Sequence, residues 1–219
     1  MPAVTNIILA SRSPRRQELL RLIVPGISIV PPRDAAEPGF DGLHQLAAIE
    51  QRLMEIARLK GADVADQLAL KNAAASSGPV IIAADTTIIV TGSEGTLHVL
   101  GQPPDDNSWK ETVRRWFCDY YAGRSHRALT ALCVHAPDGQ IVERVVTTEV
   151  TMIADVESRL EWYIETEEPR GKAGGYAIQG AGSIFISRVA GSLSNVVGLP
   201  LEALMDVFEE LQIKWKAWH

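Results

Sequence analysis

The sequence predicts a single mixed α/β (α+β) domain spanning residues 1–219, and three observations carry that expectation. Short apolar runs such as residues 6–10 (NIILA) alternate along the chain with stretches in which Leu46, Ile49, Leu53, Ile56 and Ala57 recur at three- and four-residue steps. The first pattern suits a buried strand and the second an amphipathic helix, and their alternation suits one layered unit. The composition is that of an ordinary globular protein, 46% hydrophobic and 22% charged, and 219 residues are enough to bury a substantial core. No internal repeat is visible.

In chain order, residues 6–10 read as a strand. Ser13-Pro14 then reads as the N-cap and first position of a helix whose apolar side carries Leu19, Leu20 and Ile23. Residues 27–30 form a second strand, stopped by Pro31-Pro32, and residues 33–42 an acidic, Gly/Pro-containing loop. A helix is expected over 43–60, followed by an alanine-rich segment, 62–77, of helix and loop. Residues 80–90 are strand-like but interrupted by Asp85, and residues 99–107 read as turns. An amphipathic helix follows at 108–121, then a hairpin of residues 127–135 and 140–153 around Pro137-Asp138-Gly139. The remainder reads as a helix over 157–166, a glycine-rich stretch over 171–182, a strand over 183–189 and a closing helix over 201–211.

Bulk properties exclude several functions. A net charge of −6 gives no field that would draw the chain onto nucleic acid or an anionic membrane. No apolar run approaches the ~18 residues of a membrane span, and the start of the chain lacks a basic-then-apolar leader, so a cytoplasmic location is expected. Cys118 and Cys133 have neither metal-site nor redox-motif spacing and read as reduced, packed thiols. There is no GxxxxGK[ST] loop, no HExxH and no GxSxG, and the run from Gly180 to Phe185 breaks a GxGxxG fingerprint.

Three constellations could carry chemistry. Ser11-Arg12-Ser13-Pro14-Arg15-Arg16 follows a strand and opens a helix. A helix start attracts anions through its N–H groups, and two arginines there repel the dipole unless an anion sits among them. The plain alternative is a solvated basic helix start with a serine cap. Asp85 lies between two apolar runs, where a carboxylate must find a partner. It could bind a divalent metal, serve as a general base, or sit in a tight turn bonded to its own backbone. In the segment 171–180, glycines permit close backbone approach to a ligand, Tyr176 could pack on a base and Gln179 could orient a polar group, or the segment is simply an irregular loop. Lys60 reads as the cation closing a helix, with Asp34 and Glu37 in the acidic loop and His126 a satisfied loop histidine.

Taken together, Ile-Leu-Ala-Ser-Arg-Ser-Pro-Arg-Arg at 8–16, Ala-Asp-Thr at 84–86, Gly-Lys-Ala-Gly-Gly-Tyr-Ala-Ile-Gln-Gly at 171–180, Gly191-Ser192 and the run from Asn195 to Leu201 resemble the Maf (septum-formation) family of nucleotide pyrophosphatases. The resemblance implies a Maf/ITPase-like fold, a central mixed sheet flanked by helices with two lobes around a cleft. It implies Mg²⁺ or Mn²⁺ as cofactor and a nucleoside triphosphate as substrate, cleaved between the α and β phosphates in nucleotide house-cleaning. Ser11, Ser13, Arg15 and Arg16 match its phosphate-binding block, Asp85 its catalytic carboxylate, Lys60 its lysine before that Asp, and Gln179 the glutamine of its glycine-rich block. Lys172 is the cation of that block. Glu37, or alternatively Asp34, matches the acidic residue that would hold metal together with Asp85. The Ala-Asp-Thr form resembles the branch acting on dTTP and UTP, and a homodimer is suggested by the resemblance alone. One departure stands out. Gln102 replaces the lysine of the family's Gly-Lys-Pro, which keeps open a nucleotide-binding regulatory protein of cell division with little turnover. The segment between Lys60 and Pro79 is a second departure, at the expected cleft mouth.

Overall fold

The computed structural model describes residues 6–24, 26–33, 39–69 and 78–214. At its centre is a seven-stranded mixed sheet in the order β2-β1-β3-β5-β6-β7, with β4 paired to β3 off that path. The strands are β1 (Ile7–Ala10), β2 (Ile27–Ile29), β3 (Val80–Thr91), β4 (Leu97–Leu100), β5 (Ser125–His135), β6 (Ile141–Met152) and β7 (Ile186–Ala190). β1 is parallel to both β2 and β3, and the other pairings are antiparallel. All four residues of β1 are buried, as expected of a strand covered on both faces. Ile7 and Leu9 pack beneath α1 (Pro14–Ile23) and α6 (Leu201–Glu210). Ile8 and Ala10 pack on the other face against Ile49, Leu53 and Ala57 of α2 (Leu46–Ala69). A third cluster gathers Ile88, Val90, Phe117, Tyr121, Tyr163, Tyr176 and Phe185 beyond the far end of β3, with α3 (Trp109–Trp116) and α4 (Glu157–Glu165).

β3 creates the gap that the site uses. One edge pairs with β5 from Ile81 to Ile89. The other is shared, with β1 paired to Val80–Ala83 and β4 to Ile88–Thr91. Residues 84–87 lie between these two partners, so the sheet divides there into two lobes. Side chains along a strand alternate between faces. Asp85 therefore shares the α2 face with Ile81 and Ala83, while Thr86 sits on the opposite face, between the α1 and α3 clusters.

Several elements differ from the sequence expectation. β3 runs unbroken through Asp85, which is in a strand and not in a turn. α2 does not end at Lys60 but continues to Ala69. Gly61 permits this: a Cβ there would lie 2.7 Å from Nε2 of His135 on β5, so the glycine lets the helix close on the sheet, and buried Val64 extends the apolar stripe. The expected helix over 108–121 is α-helical to Trp116 and then makes a π-helical turn, Phe117–Tyr121, which brings both of those aromatic rings into the core. Strand β4 and the short helix α5 (Leu193–Val197) have no counterpart in the sequence reading. The expected strand over 183–189 begins three residues later, after a 3₁₀ turn at Ala181–Phe185. Both cysteines are free, but only Cys133 is packed, and Cys118 is exposed.

Candidate functional site

The lobes enclose a cleft of about 790 Å³ at the open edge of β3. Its first wall is the β1–α1 junction. Ser11 is buried and accepts the Ser13 N–H at 3.1 Å, and Ser13 caps α1 by accepting the Arg16 N–H at 3.4 Å. Pro14 occupies the first turn, which carries no acid. Arg16 turns inward: its Nε donates to the Gly198 carbonyl at 2.8 Å and its Nη2 to Thr86 Oγ1 at 2.9 Å. It thus ties α1 to β3 and to the end of α5. Arg15 is held below the ordinary arginine range, chiefly by burial, with Glu168 and Glu18 opposing. A cation kept in that state is favoured by an arriving anion.

At the back of the cleft, Lys60 Nζ donates to Asp85 Oδ1 at 2.6 Å, and the two side chains are 15% and 16% exposed. Lys60 is in the interior of α2, so the helix-end dipole expected from the sequence does not act on it. Asp85 and Thr86 point to opposite faces of β3, yet both line the cleft because no strand covers that edge.

The second wall runs from Glu168 to Gly180. Glu168, Arg170, Gly171, Lys172, Ala173, Tyr176, Ala177, Gln179 and Gly180 line it. Tyrosines fix its middle, with Tyr121 Oη donating to the Gly174 carbonyl at 2.8 Å and the single Tyr163 hydroxyl proton shared between the Gly175 carbonyl at 3.3 Å and Glu168 Oε1 at 3.1 Å. Gly174 has φ +70°, and a Cβ there would lie 2.6 Å from Tyr121 Oη, so both conformation and space require glycine. The Gly174 N–H reaches the Gly101 carbonyl at 2.9 Å, which brings the loop bearing Gln102 to the same rim. Lys172 is held below the ordinary lysine range by burial and then by Arg15, with Glu168 opposing. Tyr176 differs from expectation: it is 5% exposed and its hydroxyl is 2.7 Å from Nε2 of His126. His126 lies on β5 and not in a loop, and burial lowers its pKa to about 3, so it is neutral. Its Nδ1 has no hydrogen-bond partner among the described residues.

Ser11, Ser13, Arg15, Arg16, Lys60, Asp85, Gln102, Lys172 and Gln179 therefore all line one cleft. Glu37 and Asp34 lie outside the described residues. The sequence reading passed over Glu168, Arg33, Thr86 and Arg170, which share the lining. Arg33 pairs with Asp63 at 2.9 Å, and Gln67 donates to the Pro31 carbonyl at 3.1 Å, so the extension of α2 braces the chain entering the acidic loop. No group of three His, Cys, Asp or Glu side chains gathers as a metal cage among the described residues. No helix among them is long and apolar enough to cross a membrane.

Fold and site together define a mixed α/β protein with a Lys–carboxylate pair that shares a cleft with a basic helix start. A family profile described as Maf-like protein matches residues 6–211. The dTTP/UTP pyrophosphatase of Anaeromyxobacter dehalogenans (strain 2CP-1) is 36% identical over 200 residues, covering 90% of this chain and 89% of that one. Those of Hyphomonas neptunium and Bacillus velezensis are each 34% identical, covering 96% and 95% of this chain and 98% of theirs. The chain belongs to the Maf family. Among solved structures, the Staphylococcus aureus Ham1 protein aligns with a TM-score of 0.41 at 16% identity, covering 68% of this chain and 72% of that one, a likeness too remote to add to the assignment.

Proposed function

We propose that the cleft hydrolyses a nucleoside triphosphate between the α and β phosphates, releasing a nucleoside monophosphate and pyrophosphate, with dTTP and UTP as its substrates. The observation that carries this reading is the Lys60–Asp85 pair at the open edge of β3, facing the serine–arginine start of α1 across one cleft. Clefts of ~300–1,000 Å³ hold ligands of nucleotide size. The names of the relatives support the substrate, since each is a dTTP/UTP pyrophosphatase.

In this mechanism Ser11, Ser13 and Arg15 hold the phosphate chain at the helix start, where N–H dipoles and a guanidinium both favour anions. Asp85 receives the proton of a water molecule attacking the α phosphorus. The bond from that phosphorus to the bridging oxygen breaks, and pyrophosphate leaves with the electron pair. Lys60 orients Asp85 through its hydrogen bond to Oδ1, and Lys172 and Arg15 stabilise charge growing on the leaving group. Asp85 is also the described carboxylate suited to a divalent cation, because Mg²⁺ is commonly held by one or two carboxylates together with substrate phosphate oxygens and water. A divalent cation would be held by Asp85, with Glu37 as the second proposed ligand, and would supply charge neutralisation at the phosphates.

The uncharged Gln102 at the rim favours the second reading, a nucleotide-binding regulator with little turnover. Incubating the protein with a panel of triphosphates and Mg²⁺ or Mn²⁺ separates the two. Stoichiometric pyrophosphate and monophosphate support hydrolysis, binding without release supports the regulator, and orthophosphate alone indicates a phosphomonoesterase.

A further inference from the structure

Glu168 is a second carboxylate in the cleft, and the mechanism above leaves it unused. Its bonding differs from that of Asp85. Oε2 accepts the Ala181 N–H at 2.7 Å, and Oε1 accepts the Gly182 N–H at 2.8 Å and the Tyr163 hydroxyl at 3.1 Å. Two amides and a shared hydroxyl thus engage both carboxylate oxygens, which leaves less capacity for a metal ion or a proton in flight. The two amides belong to the turn that immediately follows Gln179 and Gly180. At Gly180 any Cβ would run into the Glu168 carboxylate, so that turn is packed directly on the acid. The same carboxylate shares the cleft lining with Arg15 of the first wall and Lys172 of the second and attracts both, while these two cations repel each other.

We propose that Glu168 is a positioning residue for the triphosphate: without touching the substrate, it pins the turn that presents Gln179 and balances the charges of Arg15 and Lys172, so that both walls are set for the phosphate chain before it arrives. Tyr121 and Tyr163 fix the glycine-rich loop at Gly174 and Gly175, and Glu168 fixes its downstream end at Ala181 and Gly182. The segment from Tyr176 to Gly180, which carries Gln179, is thereby held at both ends. Its ligand, a nucleoside triphosphate, rests on the function proposed above.

The test compares wild type, Glu168→Gln and Glu168→Asp, at a temperature where circular dichroism shows each to be folded. Two quantities are read: steady-state pyrophosphate release from dTTP, and the Kd of a non-hydrolysable α,β-methylene dTTP by calorimetry. Glu168→Gln keeps the size but loses the charge and one acceptor group. It is expected to raise both KM and the analogue Kd at least tenfold with kcat within about threefold, and Glu168→Asp is expected to fall between it and wild type. A folded Glu168→Gln with both constants within twofold of wild type overturns the proposal, as does a fall in kcat with an unchanged Kd. Gly180→Ala drives a methyl group against the same carboxylate, and it serves where Glu168→Gln does not fold. A tenfold rise in its analogue Kd supports the clamp, and an unchanged Kd overturns it. Wild-type protein that binds the analogue but releases no pyrophosphate defeats the proposed reaction, while the Kd comparison still decides the role of Glu168.

Discussion

The wall formed by β1 and α1 and the wall from Glu168 to Gly180 present similar chemistry, serines and cations in one and a lysine and a glutamine in the other, but different scaffolds hold them. Ser11 leaves a fully buried strand and Ser13 caps a helix, so backbone regularity sets their positions. Arg16 then bolts that corner to β3 and α5 through Thr86 and Gly198. The second wall has only a three-residue 3₁₀ turn of its own, Ala173–Gly175, and its geometry comes from Tyr121 and Tyr163 reaching in from elsewhere and from Glu168, at its own start, bonding back to the turn at its end. Cleaving a phosphoanhydride needs charges placed before the reaction begins. For the proposed reaction, secondary structure would place them on one side and side-chain clamps on the other. Between the walls, the gap in β3's pairing exposes Asp85.

Substitutions can break or sharpen this contrast. The largest effect is expected at the residue both walls serve. Asp85→Asn removes the proton acceptor while keeping the shape, and kcat is expected to fall by on the order of 10²–10³-fold, measured as pyrophosphate release with saturating dTTP. Full turnover in that variant would falsify the base assignment. Next comes Arg16→Ala, which unbolts the first wall. Losing charge-assisted bonds to Gly198 and Thr86 costs about 2 kcal/mol of stability, read as a Tm lower by about 4–8 °C. An unchanged Tm would show the first wall to stand without its bolt.

Lys172→Met tests the second wall through pH. Burial and Arg15 lower the lysine's pKa, so its ammonium loses its proton at a lower pH than a solvated lysine does. Triphosphate binding in wild type is therefore expected to weaken as pH rises through that lowered value. Lys172→Met should raise KM about tenfold at neutral pH, ~1.4 kcal/mol, and lack the alkaline limb. A limb identical in both proteins would place the titration elsewhere. The smallest change is expected from Gln102→Lys, which adds a cation to the loop tied to Gly174 through Gly101. A KM lower by about fivefold, ~1 kcal/mol, is expected, and a higher KM would mean that the rim already has its full charge.

The two walls also differ in how they show in the sequence. The first is local: Ser13-Pro14 is a cap and first-turn signature, and Ile7 to Ala10 is a short apolar run, so strand, helix and anion site follow from adjacent residues. The second depends on partners far along the chain. Glu168 carries no local signal that its carboxylate will accept the amides of Ala181 and Gly182, and burial of the Tyr176 hydroxyl depends on His126, fifty positions earlier. Asp85 lies between these cases. Its awkward position among apolar residues was legible, but the partner that allows a continuous strand is Lys60, 25 positions before it and in the interior of a helix that the sequence reading ended there. Strand β4 escaped notice because a four-residue run, Leu97–Leu100, is too short to show a period.

The most direct test of the central claim is product analysis after incubation of the purified protein with dTTP and Mg²⁺ or Mn²⁺. The expected result is dTMP and pyrophosphate in equal amounts, released on the order of 10²–10³-fold more slowly by Asp85→Asn. Release of orthophosphate with dTDP, or tight binding of dTTP with no product under either metal, would contradict it.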